Sequence, residues 1–345
     1  MFIMSKLAAR DVRPSRRQGL LWAVGALGAA SLHACHARAR DGQRLPDELR
    51  IDWAYYSPLS MVVRHKQWLE EHFATARAGR PLPIQWVLSL GSNKALELLG
   101  SNGLDVGSTA GGAALLSRAN GNAIRAVYIF SKPEWTALVV AKASPVKGVT
   151  DLRGKKIAAT KGTDPYLFLL RVLHDAGLTK RDVELVHLQH PDGRAALERG
   201  DVDAWAGLDP HMAASELEQG SRLIVRKPEY NTYGFLDVRD SFAEQYPDAV
   251  RGVIQVYERA RRWAIANPEE LRALVAREAK LTPAVTQRVL ERNDFGEPRL
   301  GAPHLEALRA VSSILLDEQL LRAGADVGKA VDALVDTKLA EGIAG

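Results

Sequence analysis

Short apolar runs alternate with segments of helical period along most of this chain. Residues 49–54 alternate apolar and polar positions and predict a strand. Tyr55-Tyr56-Ser57-Pro58 follows as a turn, and Pro58 suits the first turn of a helix running to about Phe73. Residues 84–90 predict a second strand, closed by Gly91-Ser92-Asn93, with Ser92 as N-cap of a helix over 95–99. Residues 104–107 form a third strand that Ser108-Thr109 ends, ahead of a helix over 113–119. Residues 123–130 are a fourth strand. The order βαβαβαβ predicts a mostly parallel sheet.

The pattern breaks at Ser131-Lys132-Pro133-Glu134 and then begins again. Strands are predicted near 136–142, 156–160, 183–188, 202–205 and 222–225, and helices near 165–176, 193–198 and 211–219. Residues 233–238 read as a strand returning to the first unit. Beyond Ser241 the chain is nearly all helical, with Pro268, Pro283 and Pro303 marking helix starts. Two α/β lobes follow from this: 40–133 plus 235–345, and 134–234. They are joined by crossings near 132–135 and 231–235, which predicts an interlobe cleft able to open and close. In such sheets ligands sit at the carboxyl ends of strands, where helix N-termini favour anions.

Charge changes the reading of the N-terminus. The net charge of +5 is matched by residues 1–39 alone, where Lys6, Arg10, Arg13, Arg16, Arg17 and Arg38 stand against Asp11. The remainder sums to zero, which gives no ground for nucleic-acid binding. A basic segment ending at Arg16-Arg17, followed by an apolar run over 20–32, predicts an export leader too short to span a membrane. The arginine pair points to twin-arginine export. Two processing sites compete: Ala37-Arg38-Ala39, which makes 1–39 the leader, and Leu32-His33-Ala34-Cys35, which makes Cys35 a lipidation candidate after a leader of 1–34. Cys35 is the only cysteine, so no disulfide within the chain and no body thiol for catalysis or metal is possible.

The candidate ligand residues cluster at strand ends and crossings. Ser108 and Thr109 offer hydroxyl and backbone donors. Ser92 and Asn93, with Gly91, repeat that placement. Gly162 permits close backbone approach before the helix that Thr163 and Asp164 open. Asp164 supports that helix N-terminus but repels an anion there, so it is expected to face an amino or hydroxyl group of the ligand. Tyr55, Tyr56, Trp135 and Trp205 supply apolar wall, with Ser57 beside them and Tyr233 at the second crossing. Asp209 either meets the ligand or caps the helix after Pro210. Trp53 and Trp86, inside strands, read as core. His187 and His190 straddle a strand end, an unsuitable spacing for a metal.

These segments resemble one known family. Leu104-Asp105-Val106-Gly107-Ser108-Thr109, Ser144-Pro145-Val146-Lys147, Asp151-Leu152-Arg153-Gly154-Lys155, Lys161-Gly162-Thr163 and Gly200-Asp201-Val202-Asp203-Ala204-Trp205 with Asp209-Pro210 occur in an order similar to that of the substrate-binding proteins of ABC importers. The resemblance is to their aliphatic sulfonate, taurine and nitrate group, and most to the alkanesulfonate branch. It implies a two-lobed, type II periplasmic binding protein fold that holds a small anionic organosulfur ligand between its lobes. It also implies delivery to a permease with its ATPase, from the periplasm, by a monomer needing no cofactor. The pattern departs where Ala110-Gly111, Thr163-Asp164-Pro165-Tyr166 and Leu208-Asp209-Pro210 replace the usual Gly-Asp, Ser-rich and Trp-Asp-Pro segments. No Walker loop, dinucleotide fingerprint or serine triad motif is present. Two alternatives remain: an enzyme on the same scaffold, desulfinase-like or pyrimidine-precursor-like, and a ligand-sensing lipoprotein.

Overall fold

A computed structural model describes residues 44–77 and 79–343, which belong to one compact unit. The predicted leader, its arginine pair and Cys35 lie outside the described residues.

The chain first builds β1 (Leu49–Trp53), α1 (Pro58–His65), α2 (Trp68–His72), β2 (Ile84–Leu88), α3 (Ser92–Gly100), β3 (Val106–Ala110), α4 (Gly111–Ala119) and β4 (Ile124–Pro133). It then crosses into β5 (Thr136–Val140), β6 (Lys156–Ala159), α5 (Asp164–Asp175), β7 (Glu184–His187), α6 (His190–Arg199), β8 (Ala204–Leu208), α7 (His211–Gln219) and β9 (Arg222–Val225). Finally it returns through β10 (Gly234–Arg239), α8 (Asp240–Gln245), α9 (Pro247–Ala266), α10 (Pro268–Glu278), α11 (Pro283–Glu291), β11 (Asn293–Asp294), α12 (Ala302–Asp317) and α13 (Val327–Leu334).

Two sheets result. The first has the order β11-β4-β10-β3-β1-β2 and the second β7-β6-β8-β5-β9. β1 runs parallel to β2 and β3, and β6 runs parallel to β7 and β8. The strands that follow each crossing are the antiparallel ones: β5 against β8 and β9, and β10 against β3 and β4. The expected mostly parallel pattern is therefore met with one reversed strand, β5, in the second sheet and two, β10 and the short β11 beside β4, in the first.

Three local expectations are corrected. The helix predicted from Pro58 to Phe73 breaks at Lys66-Gln67, where Gln67 takes a left-handed φ of 54°. The third strand does not stop at Gly107. It runs on through Ser108 and Thr109 to Ala110, because β10 pairs with it along that length, with Thr109 opposite Phe235. β8 starts two residues later than expected, at Ala204, and ends at Leu208, where it pairs with Thr136 of β5.

The C-terminal helices touch both sheets' helices. α9 packs its face of Val250, Val253, Ile254 and Tyr257 into the main core. α11 instead packs Val285 and Val289 on Ala213 and Ala214 of α7, and Lys180 reaches Glu318 just beyond α12. Among the described residues no helix is long and apolar enough to cross a membrane.

Candidate functional site

The strand ends of the two sheets meet in two places, the crossings and the turn at Gly91, and a third polar group lies in the interior of the first sheet.

At the crossings, Asp164 is the centre. It opens α5 and is almost fully buried. Its carboxylate accepts the Thr232 N–H at 2.9 Å, the Thr232 hydroxyl at 2.7 Å, and Trp135 Nε1–H at 3.3 Å. The Thr232 oxygen in turn accepts the Gly112 N–H at 2.9 Å. One residue from each crossing is thus tied to the start of α5 and the start of α4. Burial pushes the Asp164 carboxyl above its ordinary pKa, and these donors pull it back down. Gly112 is required by the approach, since a Cβ there would stand 2.8 Å from Asp164 Oδ1. Trp135 also meets the Tyr56 ring edge-on at 6.0 Å, and the Tyr56 hydroxyl donates to the Ser108 carbonyl at 2.9 Å.

At the turn, Gly91-Ser92-Asn93 faces the second sheet. A Cβ on Gly91 would lie 3.2 Å from His190 Nε2 and 2.8 Å from Asn93 Oδ1, and one on Gly162 would lie 3.6 Å from Asn93 Cβ. Asn93 Oδ1, His190 Nε2 and the neighbouring Gln189 Oε1 are buried with no hydrogen-bond partner among the described residues. The Ser57 hydroxyl, at the start of α1, is buried without a partner as well. A buried polar atom left unpaired costs stability. Beside Asn93 runs a groove of about 250 Å³ between α3, α4 and Gly162, with Leu96, Ala113 and Leu116 among its walls.

Inside the first sheet, Asp52 and Asp237 are fully buried on strands β1 and β10. Asp52 Oδ1 accepts the Ser108 N–H at 2.7 Å, and Asp237 accepts the Thr109 hydroxyl. The other oxygen of each carboxylate has no partner among the described residues. Burial pushes both up to about 7; Ser108 pulls Asp52 back and Thr109 pulls Asp237 back.

The expected site residues therefore divide. Ser57, Asn93 and Gly162 lie at the strand-end junction. Tyr56, Trp135 and Asp164 are brought together at the crossings, but Asp164 spends its oxygens on protein donors and not on an awaiting ligand. Ser108 and Thr109 are mid-strand, with the Ser108 amide and the Thr109 hydroxyl already engaged. Ser92 is not the N-cap, because the helix begins on it; its hydroxyl accepts the Ala110 N–H at 2.9 Å instead. Thr163 turns its hydroxyl to the Thr160 carbonyl at 2.6 Å. Tyr233 meets His304 edge-on with centroids 4.2 Å apart, and Tyr55 packs edge-on against Trp53. Trp205 is enclosed in the second sheet's own apolar cluster with Val139, Leu197 and Met212. Asp209 caps α7 by accepting the Ala213 N–H at 2.9 Å and pairs with Arg292, while burial raises its pKa to about 6. Trp53 and Trp86, expected as core, are half-buried; Trp86 donates to Glu70 at 2.9 Å.

His190, Thr232 and Gly112 were missed. His190 obeys the same strand-end rule as the other candidates, but its spacing from His187 speaks only to metal ligation. Thr232 sits in the second crossing, where a hydroxyl was a visible signal. Among the described residues no group of three His, Cys, Asp or Glu side chains is placed to hold a metal ion.

Residues 82–271 match the family model described as NMT1/THI5 like. A curated relative from Escherichia coli (strain K12), named for aliphatic sulfonates binding, is 30% identical over 269 residues, covering 77% of this chain and 82% of the relative. The chain belongs to this family. The alkanesulfonate-binding protein SsuA from Xanthomonas axonopodis pv. citri, solved bound to MOPS, superposes with a TM-score of 0.73 at 26% identity, over 84% of this chain and 98% of that one. The desulfurization enzyme DSZB shares the fold alone, at 18% identity and a TM-score of 0.60 over 85% of this chain and 97% of that one. The fold is that of the periplasmic binding proteins, with two α/β sheets joined by two crossings.

Proposed function

We propose that this protein is the solute-binding component of an ABC importer, and that it closes on an aliphatic sulfonate or related organosulfur anion. The observation that carries this reading is the set of buried, unpaired polar atoms at facing strand ends: Ser57 Oγ and Asn93 Oδ1 from one sheet, His190 Nε2 from the other. Groups buried at such a cost fit a ligand that completes them. α1 and α3 begin with no acidic residue in the first turn, so their N-termini can meet a sulfonate. α4 is less available, because Gly111 N–H goes to the Tyr233 carbonyl and Gly112 N–H to Thr232.

The lobes that close are 40–133 with 235–345, and 134–234, joined by the crossings near 132–135 and 231–235. The protein works in the periplasm as a monomer, exported by its leader and held to the membrane, if lipidated, only through Cys35. It hands its ligand to a permease with its ATPase. The body lacks any cysteine, which supports a binder over a thiol-dependent desulfinase. A thermal-shift panel of alkanesulfonates, taurine, aromatic sulfonates, sulfate and nitrate tests the proposal. A sulfonate at ~100 times its dissociation constant stabilises the fold by about 2.7 kcal/mol. Folded protein that ignores every sulfonate sinks it.

A further inference from the structure

The two halves of the strand-end site differ in polarity. On the first sheet's side, α1 and α3 present N-termini free of acidic residues. On the second sheet's side, α5 and α6 carry Asp164 and Asp192 in their first turns, and His190 is the first residue of α6.

The His190 ring is wholly buried, with Nδ1 3.2 Å from Thr160 Oγ1. Thr160 has one hydroxyl proton, and the Leu188 carbonyl accepts it at 2.7 Å. The contact with Nδ1 therefore runs one way, with the ring donating to the hydroxyl oxygen. A neutral imidazole has a single N–H, so Nε2 is left as a bare acceptor. Burial, and then the neighbouring His211, lower the pKa of His190 to about 3, which keeps the ring neutral at physiological pH. Nε2 faces the Gly91 turn and finds no partner among the described residues. Asn93, on that turn, can rotate its amide to offer either a donor or an acceptor. His190 cannot, and so it sets the polarity of this half.

We infer that His190 is a specificity determinant: its Nε2 selects sulfonates whose carbon chain also carries a hydroxyl or an ammonium over plain alkanesulfonates of the same length. This rests on the sulfonate-binding function proposed above. A plain alkanesulfonate brings acceptors only and leaves Nε2 buried and unpaired. A donor on the carbon next to the sulfonate-bearing one lets the anion sit at α1 and α3 while the donor meets His190. Because Nε2 is already unpaired without ligand, the pairing it gains gives the donor-bearing ligand roughly tenfold or more in affinity.

Calorimetry on the full chain tests this with ethanesulfonate, 2-hydroxyethanesulfonate and 2-aminoethanesulfonate, repeated on His190→Phe and His190→Gln. The wild type is expected to prefer one or both donor-bearing ligands by roughly tenfold or more. Phe abolishes the preference, and Gln, which still carries an acceptor, retains part of it. Should His190→Phe fail to fold, His190→Gln and the wild-type ranking decide. Equal affinities for the three ligands overturn the inference. So does ethanesulfonate binding with uptake of a proton, read from buffers of different ionisation enthalpy, because the ring is then a donor. If none of the three binds while the protein is folded, this inference fails; the proposed function fails with it only when the other sulfonates of the thermal-shift panel are ignored as well.

Discussion

The crossings and the Gly91 turn both bury polar groups at strand ends, and they treat them in opposite ways. At the crossings Asp164 meets Thr232 and Trp135, and Thr232 meets Gly112, all within hydrogen-bond distance. At the turn Asn93 Oδ1 and His190 Nε2, and at the start of α1 Ser57 Oγ, are equally hidden and have no partner among the described residues. Pairing offsets the cost of removing a polar group from water, and its absence leaves that cost in the folded state. The first region is built for stability, tying both crossings to the starts of α4 and α5. The second gives up stability that a ligand can return. The interior carboxylates Asp52 and Asp237 are intermediate, with one oxygen of each paired and one not.

Substitution at the crossings has the largest expected effect. Asp164→Ala strands the Thr232 amide and the Trp135 indole N–H, and costs about 3 kcal/mol in urea unfolding. A loss below about 0.5 kcal/mol breaks the contrast with the turn.

The half-paired carboxylates come next. Each has a folded pKa near 7 against an ordinary value of 3.8, so the folded state binds more protons between those limits. Unfolding free energy therefore falls as pH rises through that window, and the cost is fully present above about pH 7. Lowering the pH from 8 to 5 is expected to add about 2.7 kcal/mol for each of the two groups. Asp52→Asn should flatten the slope, as measured by chemical unfolding at each pH. A slope left unchanged removes Asp52 from the account.

Gly112→Ala sets a methyl 2.8 Å from Asp164 Oδ1 and 3.0 Å from Leu167 Cδ1. Thermal unfolding should report a loss of about 1–2 kcal/mol, the cost of forcing the two helix starts apart. The smallest effect on stability belongs to the turn side. Ser57→Ala removes an unpaired hydroxyl, so the unfolding free energy stays within about 0.5 kcal/mol of wild type while sulfonate affinity drops. A large loss of stability there gives Ser57 a structural role and erases the comparison.

Much of this architecture is legible in the amino-acid sequence, because strand-end turns and helix starts are local signals. Pro58, Gly91, Asp164 and Pro210 mark them correctly; the reversal of the strand after each crossing is not among these signals. What escapes is set by distant partners. The third strand continues through Ser108-Thr109 only because β10, more than a hundred residues later, lies beside it. Asp164 reads as a group awaiting a ligand until Thr232 arrives to use both its oxygens. Trp205 sits at a strand position that reads equally as wall or core; the close approach of Gly193 to its indole places it in the core. His190 needs two further facts that no spacing contains: the hydroxyl of Thr160, and where its proton goes.

A crystal structure of the protein with 2-hydroxyethanesulfonate tests the account most directly. The account predicts the sulfonate at the starts of α1 and α3, touching Ser57 and Asn93, with the ligand hydroxyl on His190 Nε2 and the Asp164–Thr232–Trp135 contacts unchanged. A ligand bound elsewhere, with Ser57, Asn93 and His190 still unpaired, contradicts it.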